Sequence, residues 1–299
     1  MAAKSVQFEE VVFADDLNAW KALPPTTSED DAHSQLRACQ SSLHAWGRAN
    51  RVTFDAAKEH FHLLSRTRPS GDNFNILGIV FDSKLVMNEA VESCVAAASW
   101  RIYSLIRTRR FYCDAELVNL YKSHVLSYIE YRTCAIYHAS ASVLAPLDAL
   151  QTRFLHSLGI SSLDALVYFN LAPLRTRRDI SILGVIHRTL LGSGPACFSQ
   201  FFCLDSSLLL RVHPGATRAK PPFNSPDFLL HSAAGASRVY NLLPDYIVRA
   251  KSVPTFQKRL QQLVLDRARS HDDWEQSLSP RLPLAFHPLR WRRNWRPQF

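Results

Sequence analysis

From residue 88 onward, apolar side chains recur at steps of three and four in one stretch after another, and this spacing restricts the fold more than any other feature. Val91, Val95, Ala98, Ile102 and Leu105 mark one stretch, and Leu117, Leu120, Tyr121, His124, Val125 and Tyr128 a second. Leu144, Leu147, Leu150, Phe154 and Leu158 mark a third, ended by Gly159; Ile180, Leu183, Ile186 and Leu190 mark a fourth, ended by Gly192, Gly194 and Pro195. Residues three and four apart share one side of an α-helix, so each stretch predicts a helix with a single buried stripe. A further helix is predicted over 256–267, after Pro254. Only 9 of 299 residues are glycine, which leaves few sites for the tight turns of a hairpin-rich protein.

The first 87 residues read differently. Residues 6–12 form a largely apolar strand that stops at Phe13-Ala14-Asp15-Asp16, so the strand delivers two carboxylates to a turn. Pro24 and Pro25 break the chain, and Ser28 with Asp31 three residues on starts a helix whose buried side carries Ala32, Leu36, Cys39, Leu43 and Trp46. Short strands are predicted over 51–54 and 60–64 with Lys58 in the turn between them, and a continuous apolar strand over 76–81. Residues 204–236, with Pro214, Gly215, Pro221, Pro222 and Pro226, predict no long element.

Charge and cysteine usage narrow the class. Residues 1–66 hold 7 Lys/Arg against 9 Asp/Glu, while the remainder holds 28 against 17, so an acidic head precedes a basic body. That distribution suits cations at one end and a polyanion along the rest, although many soluble proteins share it. The six cysteines form no CxxC pair and read as reduced thiols of an intracellular protein. Cys134, His138 and His124 fall short of the four ligands of a zinc site. Glu9 and Glu10 interrupt any signal-peptide pattern, and no apolar run reaches the roughly 18 residues of a membrane span. No Gly-x-Ser-x-Gly, P-loop or GxGxxG pattern occurs, so hydrolase, ATPase and Rossmann readings have no support.

Asp-Asp also occurs at Asp30-Asp31 and Asp272-Asp273, so the dipeptide at Asp15-Asp16 takes its meaning from its surroundings. Phe13-Ala14-Asp15-Asp16 is similar to the FADD/YADD motif of the reverse transcriptase palm. A helix ending in Trp46, then Asn50, Phe54 and Lys58, resembles the L…W…N…F…K block of non-LTR (LINE-type) enzymes. Residues 77–82 (LGIVFD) resemble their LG-x-x-x-D block, and residues 120–131 (LYKSHVLSYIEY) the helical segment after the palm. Leu147 to Phe154, Leu171 to Leu174 with Arg177-Arg178-Asp179, and Arg238 to Pro244 with Phe256 follow in the family's order. These weak blocks, in order over most of residues 8–265, make a specific resemblance.

That resemblance implies an α+β chain: a truncated palm over 1–87, a helical thumb-like region over 88–195, a C-terminal region over 196–270, and a basic Trp/Arg-rich tail over 271–299 without fixed structure. It implies an RNA template, a DNA primer, and magnesium held by Asp15 and Asp16, since nucleotidyl transfer uses divalent cations bound through hard oxygen donors. Lys58 would stand near the departing pyrophosphate, where a cation offsets developing charge; alone it reads equally as a solvated lysine. Leu77, Gly78 and Ile79 would seat the primer terminus, and as a motif describe a buried strand equally well. Arg101, Arg107, Arg109, Arg110, Arg175, Arg177 and Arg178 would contact phosphates, or form a solvated helix surface. Trp291, Arg292, Arg293, Trp295 and Arg296 interleave rings with guanidinium groups in the tail.

The family's earlier palm aspartate and its fingers have no counterpart in the 12 residues ahead of Phe13. The expectation is therefore a polymerase fragment inactive alone, whose missing N-terminal part would have to come from elsewhere. A non-catalytic basic nucleic-acid-binding protein and a non-functional product of a degraded element stand as alternatives.

Overall fold

The computed structural model describes residues 3–65, 67–204 and 231–291. The proline-rich stretch over 205–230 and the tail residues Arg292, Arg293, Trp295 and Arg296 lie outside them. The chain is α+β and mostly helical, with two small antiparallel sheets. It divides into two compact units, one of residues 1–76 and 81–85, the other of residues 77–80 and 86–299.

In the first unit, strands β1 (Glu9–Phe13) and β2 (Asp16–Trp20) pair antiparallel, with Phe13 opposite Asp16 and Glu9 opposite Trp20. Helix α1 (Glu29–Asn50) begins where Ser28 Oγ accepts from the Asp31 backbone N–H at 3.1 Å, which satisfies one of the amides that a helix start leaves without a partner. Its apolar stripe, Leu36, Cys39 and Leu43, packs with Ala3, Phe8 and Ala19. The helix ends at Arg51 in the left-handed region, and the chain doubles back so closely that a Cβ on Gly47 would sit 2.7 Å from the Val52 carbonyl.

That return replaces the two short strands predicted over 51–54 and 60–64. Among the described residues no strand runs alongside to take their backbone groups, and Leu63 and Ser70 form an isolated bridge. The segment is held to α1 through side chains instead: Gln40 Nε2 donates to Glu59 at 2.6 Å and His44 meets the same carboxylate at 2.8 Å. These bonds, Gln40's first, hold the Glu59 carboxyl below its usual range.

The continuous strand predicted over 76–81 is two strands. β3 (Phe74–Ile76) and β4 (Ile79–Phe81) flank Leu77 and Gly78, whose φ values of 50° and 75° are both positive. Two successive positive φ angles are the signature of a I′ hairpin turn. An unbroken apolar run has no period of its own, so it hid the reversal.

The second unit starts with α2 (Asn88–Arg107), which buries Val91, Cys94 and Ala98 and packs on α6 (Ala141–Ser157). Between them, α3 (Asp114–Tyr121) runs through a π turn at Lys122–Leu126 into α4 (Ser127–Glu130), and α5 (Thr133–Ile136) follows. Two eight-residue helices fall outside the stretches that periodicity marks, besides shorter pieces of four residues. One is α7 (Ser162–Phe169), capped by Ser161 and ended by Asn170 at φ 49°. The other is α9 (Ala233–Tyr240), whose small residues give little apolar signal. Helix α8 (Leu174–Leu190) packs against α9 and α11 (Val253–Ala268), and α10 (Asp245–Val248) adds Ile247 and Val248 to the same core.

Residues from the expected thumb-like and C-terminal regions thus share one core, and the tail joins it. Trp274 and Leu278 belong to that core and His287 is fully buried, which corrects the expectation that residues 271–291 lack fixed structure. Arg281 anchors the return, donating to the Tyr137 and Ala139 carbonyls at 2.9 and 3.0 Å. The spacing rules missed this segment because it packs through short 3₁₀ turns.

His287 is held neutral: its Nε2–H donates to the Ser279 carbonyl at 3.1 Å, while Nδ1 accepts from the Leu289 N–H at 3.2 Å. Burial pushes its pKa down to about 4. Because the unfolded value is about 6.5, the stability contributed by neutral His287 is present above that pH and is lost as pH falls towards 4. Asp179 acts with the opposite sign. Burial raises it to about 7, so the stability that its bound proton contributes is lost as pH rises from about 4 through 7. Chemical denaturation across pH 4–8 should therefore show wild type losing stability on acidification relative to His287→Gln, by up to about 1 kcal/mol per pH unit. Relative to Asp179→Asn the slope should reverse, and parallel curves would contradict both assignments.

Candidate functional site

The carboxylate turn is the two-residue loop joining β1 and β2. Phe13 and Asp16 close it, and Ala14 takes φ 53°, a conformation that costs a residue bearing Cβ about 1 kcal/mol. Asp15 and Asp16 are both exposed at its tip. Directly opposed residues share a face of the hairpin. Val11, Phe13 and Trp20 therefore stand on the Asp16 side, where Phe13 is 62% exposed, while Ala19 on the other side packs with the α1 cluster. Lys58 ends a 3₁₀ turn (Ala56–Lys58) initiated by Asp55, lies 4.0 Å from that carboxylate and is well exposed. An ion pair this long and solvated contributes little.

Leu77, Gly78 and Ile79 do not lie along one strand. Leu77 and Gly78 are the tip of the second hairpin, and Ile79 is buried as the first residue of β4. The Leu77 carbonyl accepts from the Tyr131 hydroxyl at 2.9 Å, which fixes the tip onto the segment after α4.

The seven arginines separate by environment. Arg178 is buried, its Nη2 donating to Asp148 at 2.9 Å, and Arg177 Nε donates to Glu130 at 2.6 Å in a half-buried pair. Both guanidinium groups tie α8 to neighbouring helices, whereas Arg175 on the same helix is exposed. Arg101 donates to the His124 carbonyl at 2.8 Å and lies 4.0 Å from the Tyr128 ring, which Arg132 covers at 3.9 Å. Arg109 reaches the Ser157 carbonyl at 3.3 Å. Arg107 and Arg110 contact aromatic rings only, Tyr103 at 5.7 Å and Phe111 at 4.6 Å, and neither meets a carboxylate among the described residues.

Residue spacing had drawn attention to these arginines but not to the rings beside them. Trp100 is 68% exposed, Tyr103 54% and Phe111 67%. Trp100 and Tyr103 lie 5.9 Å apart between ring centroids. The available signal was phase: Trp100 and Tyr103 fall outside the stripe of Val91, Val95, Ala98, Ile102 and Leu105 that α2 turns inward.

No family model, curated protein or solved structure matches the chain. Among the described residues no helix is long and apolar enough to cross a membrane, and no three His, Cys, Asp or Glu side chains gather to hold a metal ion.

Arg178→Ala should cost about 3–5 kcal/mol in urea unfolding because it strands Asp148, while Arg107→Ala should stay within about 0.5 kcal/mol of wild type. Equal losses would show that exposure does not separate the two groups. Ala14→Gly should stabilise the first unit by about 1 kcal/mol; a loss of stability would mean that the turn carries no backbone strain.

Proposed function

We propose that this chain is the rear part of a LINE-type reverse transcriptase, and that alone it binds nucleic acid without extending a primer. The observation that carries the reading is the placement of Phe13-Ala14-Asp15-Asp16: two neighbouring carboxylates presented to solvent at the tip of a hairpin.

Magnesium suits the donors at this turn. Asp15 and Asp16 would hold it through hard oxygens, leaving positions for water and phosphate, as is usual for this ion. The bound ion would supply charge stabilisation for the attacking and leaving oxygens. Two carboxylates are a thin donor set for two cations, and the described residues bring no third group to them. Lys58, exposed and weakly paired, is free to approach a pyrophosphate.

The second reading, a non-catalytic nucleic-acid-binding module, draws on the exposed guanidinium groups of Arg107 and Arg110. Both readings predict primer–template binding that weakens steeply with salt, because each phosphate contact releases counterions.

With magnesium, deoxynucleotides and an RNA template annealed to a DNA primer, the purified chain should give no extension product. Extension abolished by Asp15→Asn would overturn the proposed dependence on a missing part, while failure to bind the primer–template at any salt would remove both readings.

A further inference from the structure

We infer that the exposed side of α2, with the turn after it, is a stacking surface for the unpaired bases of an RNA strand. The inference rests on the reverse-transcriptase reading, in which the template is RNA, and names the strand that this surface takes. Trp100, Tyr103 and Arg107 follow one another at helical steps of three and four, and Arg110 and Phe111 are exposed in the 3₁₀ turn that comes next. Trp100 to Arg107 spans roughly 10 Å of helix axis at about 1.5 Å per residue. At about 3.4 Å per stacked base, that is room for roughly three bases.

Two features select the occupant. Trp100 and Tyr103 are exposed together, their ring centroids 5.9 Å apart, and Phe111 is two-thirds exposed in the turn that follows, so the rings form a group rather than scattered single residues. A protein partner could cover such rings, but no Asp or Glu occurs from Ser93 to Cys113, while Arg101, Arg107, Arg109 and Arg110 do. Rings interleaved with guanidinium groups along an acid-free stretch of chain suit a polyanion that also has flat apolar faces, which is a nucleic acid. A duplex hides those faces within its own stack, so the rings can engage only unpaired bases.

The test uses the full chain and fluorescein-labelled probes of about 15 nucleotides, within the range of single-strand site sizes: an A-rich RNA, the same sequence as DNA, and the RNA as a duplex. Polarisation is followed across a salt series. The RNA strand should bind at least about fivefold more tightly than the duplex; Trp100→Ala should lose roughly tenfold on the strand, and Trp100→Phe should stay within about twofold. Arg107→Ala should lower the slope of log affinity against log salt by about one. Trp100 is too exposed for either substitution to threaten folding. Unchanged affinity in Trp100→Ala, or duplex binding as tight as the strand, would overturn the stacking surface; if an RNA–DNA primer–template still bound, the polymerase reading would stand without it. A DNA strand bound as tightly as RNA would overturn the assignment to RNA, and no binding to any probe or to the primer–template would take down both proposals.

Discussion

The second unit depends on burying α8 on nearly every side. Leu183 and Ile186 are fully enclosed, but so are Thr176 and His187, and Arg178 and Asp179 are almost so. A polar group taken from water without a partner costs more than a hydrogen bond returns, so each of these needs a partner built in place. His187 shows how this is met. Tyr240 Oη lies 2.8 Å from Nδ1, the Ala250 carbonyl lies 2.9 Å from Nε2, and the Phe256 ring stacks at 4.1 Å. Burial holds its pKa below the ordinary value, so the ring is an uncharged spacer between α9, α11 and the loop before it.

The same requirement organises the polar seam around Asp179. Tyr137 Oη donates to Asp179 at 2.8 Å, Arg178 beside it pairs with Asp148, and Arg281 brings the C-terminal segment onto the Tyr137 backbone. Four distant stretches of chain meet there, each contributing a group that would be costly if the others were absent. Ion pairs of this kind add little net stability over apolar packing but penalise wrong arrangements strongly. Arginine in this protein therefore has two opposed uses. Arg177 and Arg178 lock helices together, and Arg107 and Arg110 stay in solvent beside aromatic rings.

How much was legible before the structure varied with the kind of signal. Helices with long apolar stripes, such as α2, α6 and α8, were legible because the 3.6-residue period repeats over many turns. The carboxylate turn was legible because two acids end the apolar run ahead of them, although that run, β1, is mostly exposed. The Leu77-Gly78 reversal was not, since leucine is an unusual choice for a positive φ angle and the apolar letters continue across it. Helix α9 was missed because Ala, Gly and Ser give no amphipathic contrast, and its burial comes from the neighbours that cover it.

What the sequence determined alone was local: where helices run, where two carboxylates meet a turn, and that positive charge gathers after residue 66. Which charges face solvent was decided only by tertiary structure. Arg107 and Arg178 are the same residue type in helices of similar character, yet one contacts only an exposed ring and the other sits in a buried ion pair. The difference lies in what packs over each helix. Burial is set by residues far away in the chain, and no local pattern carries that information.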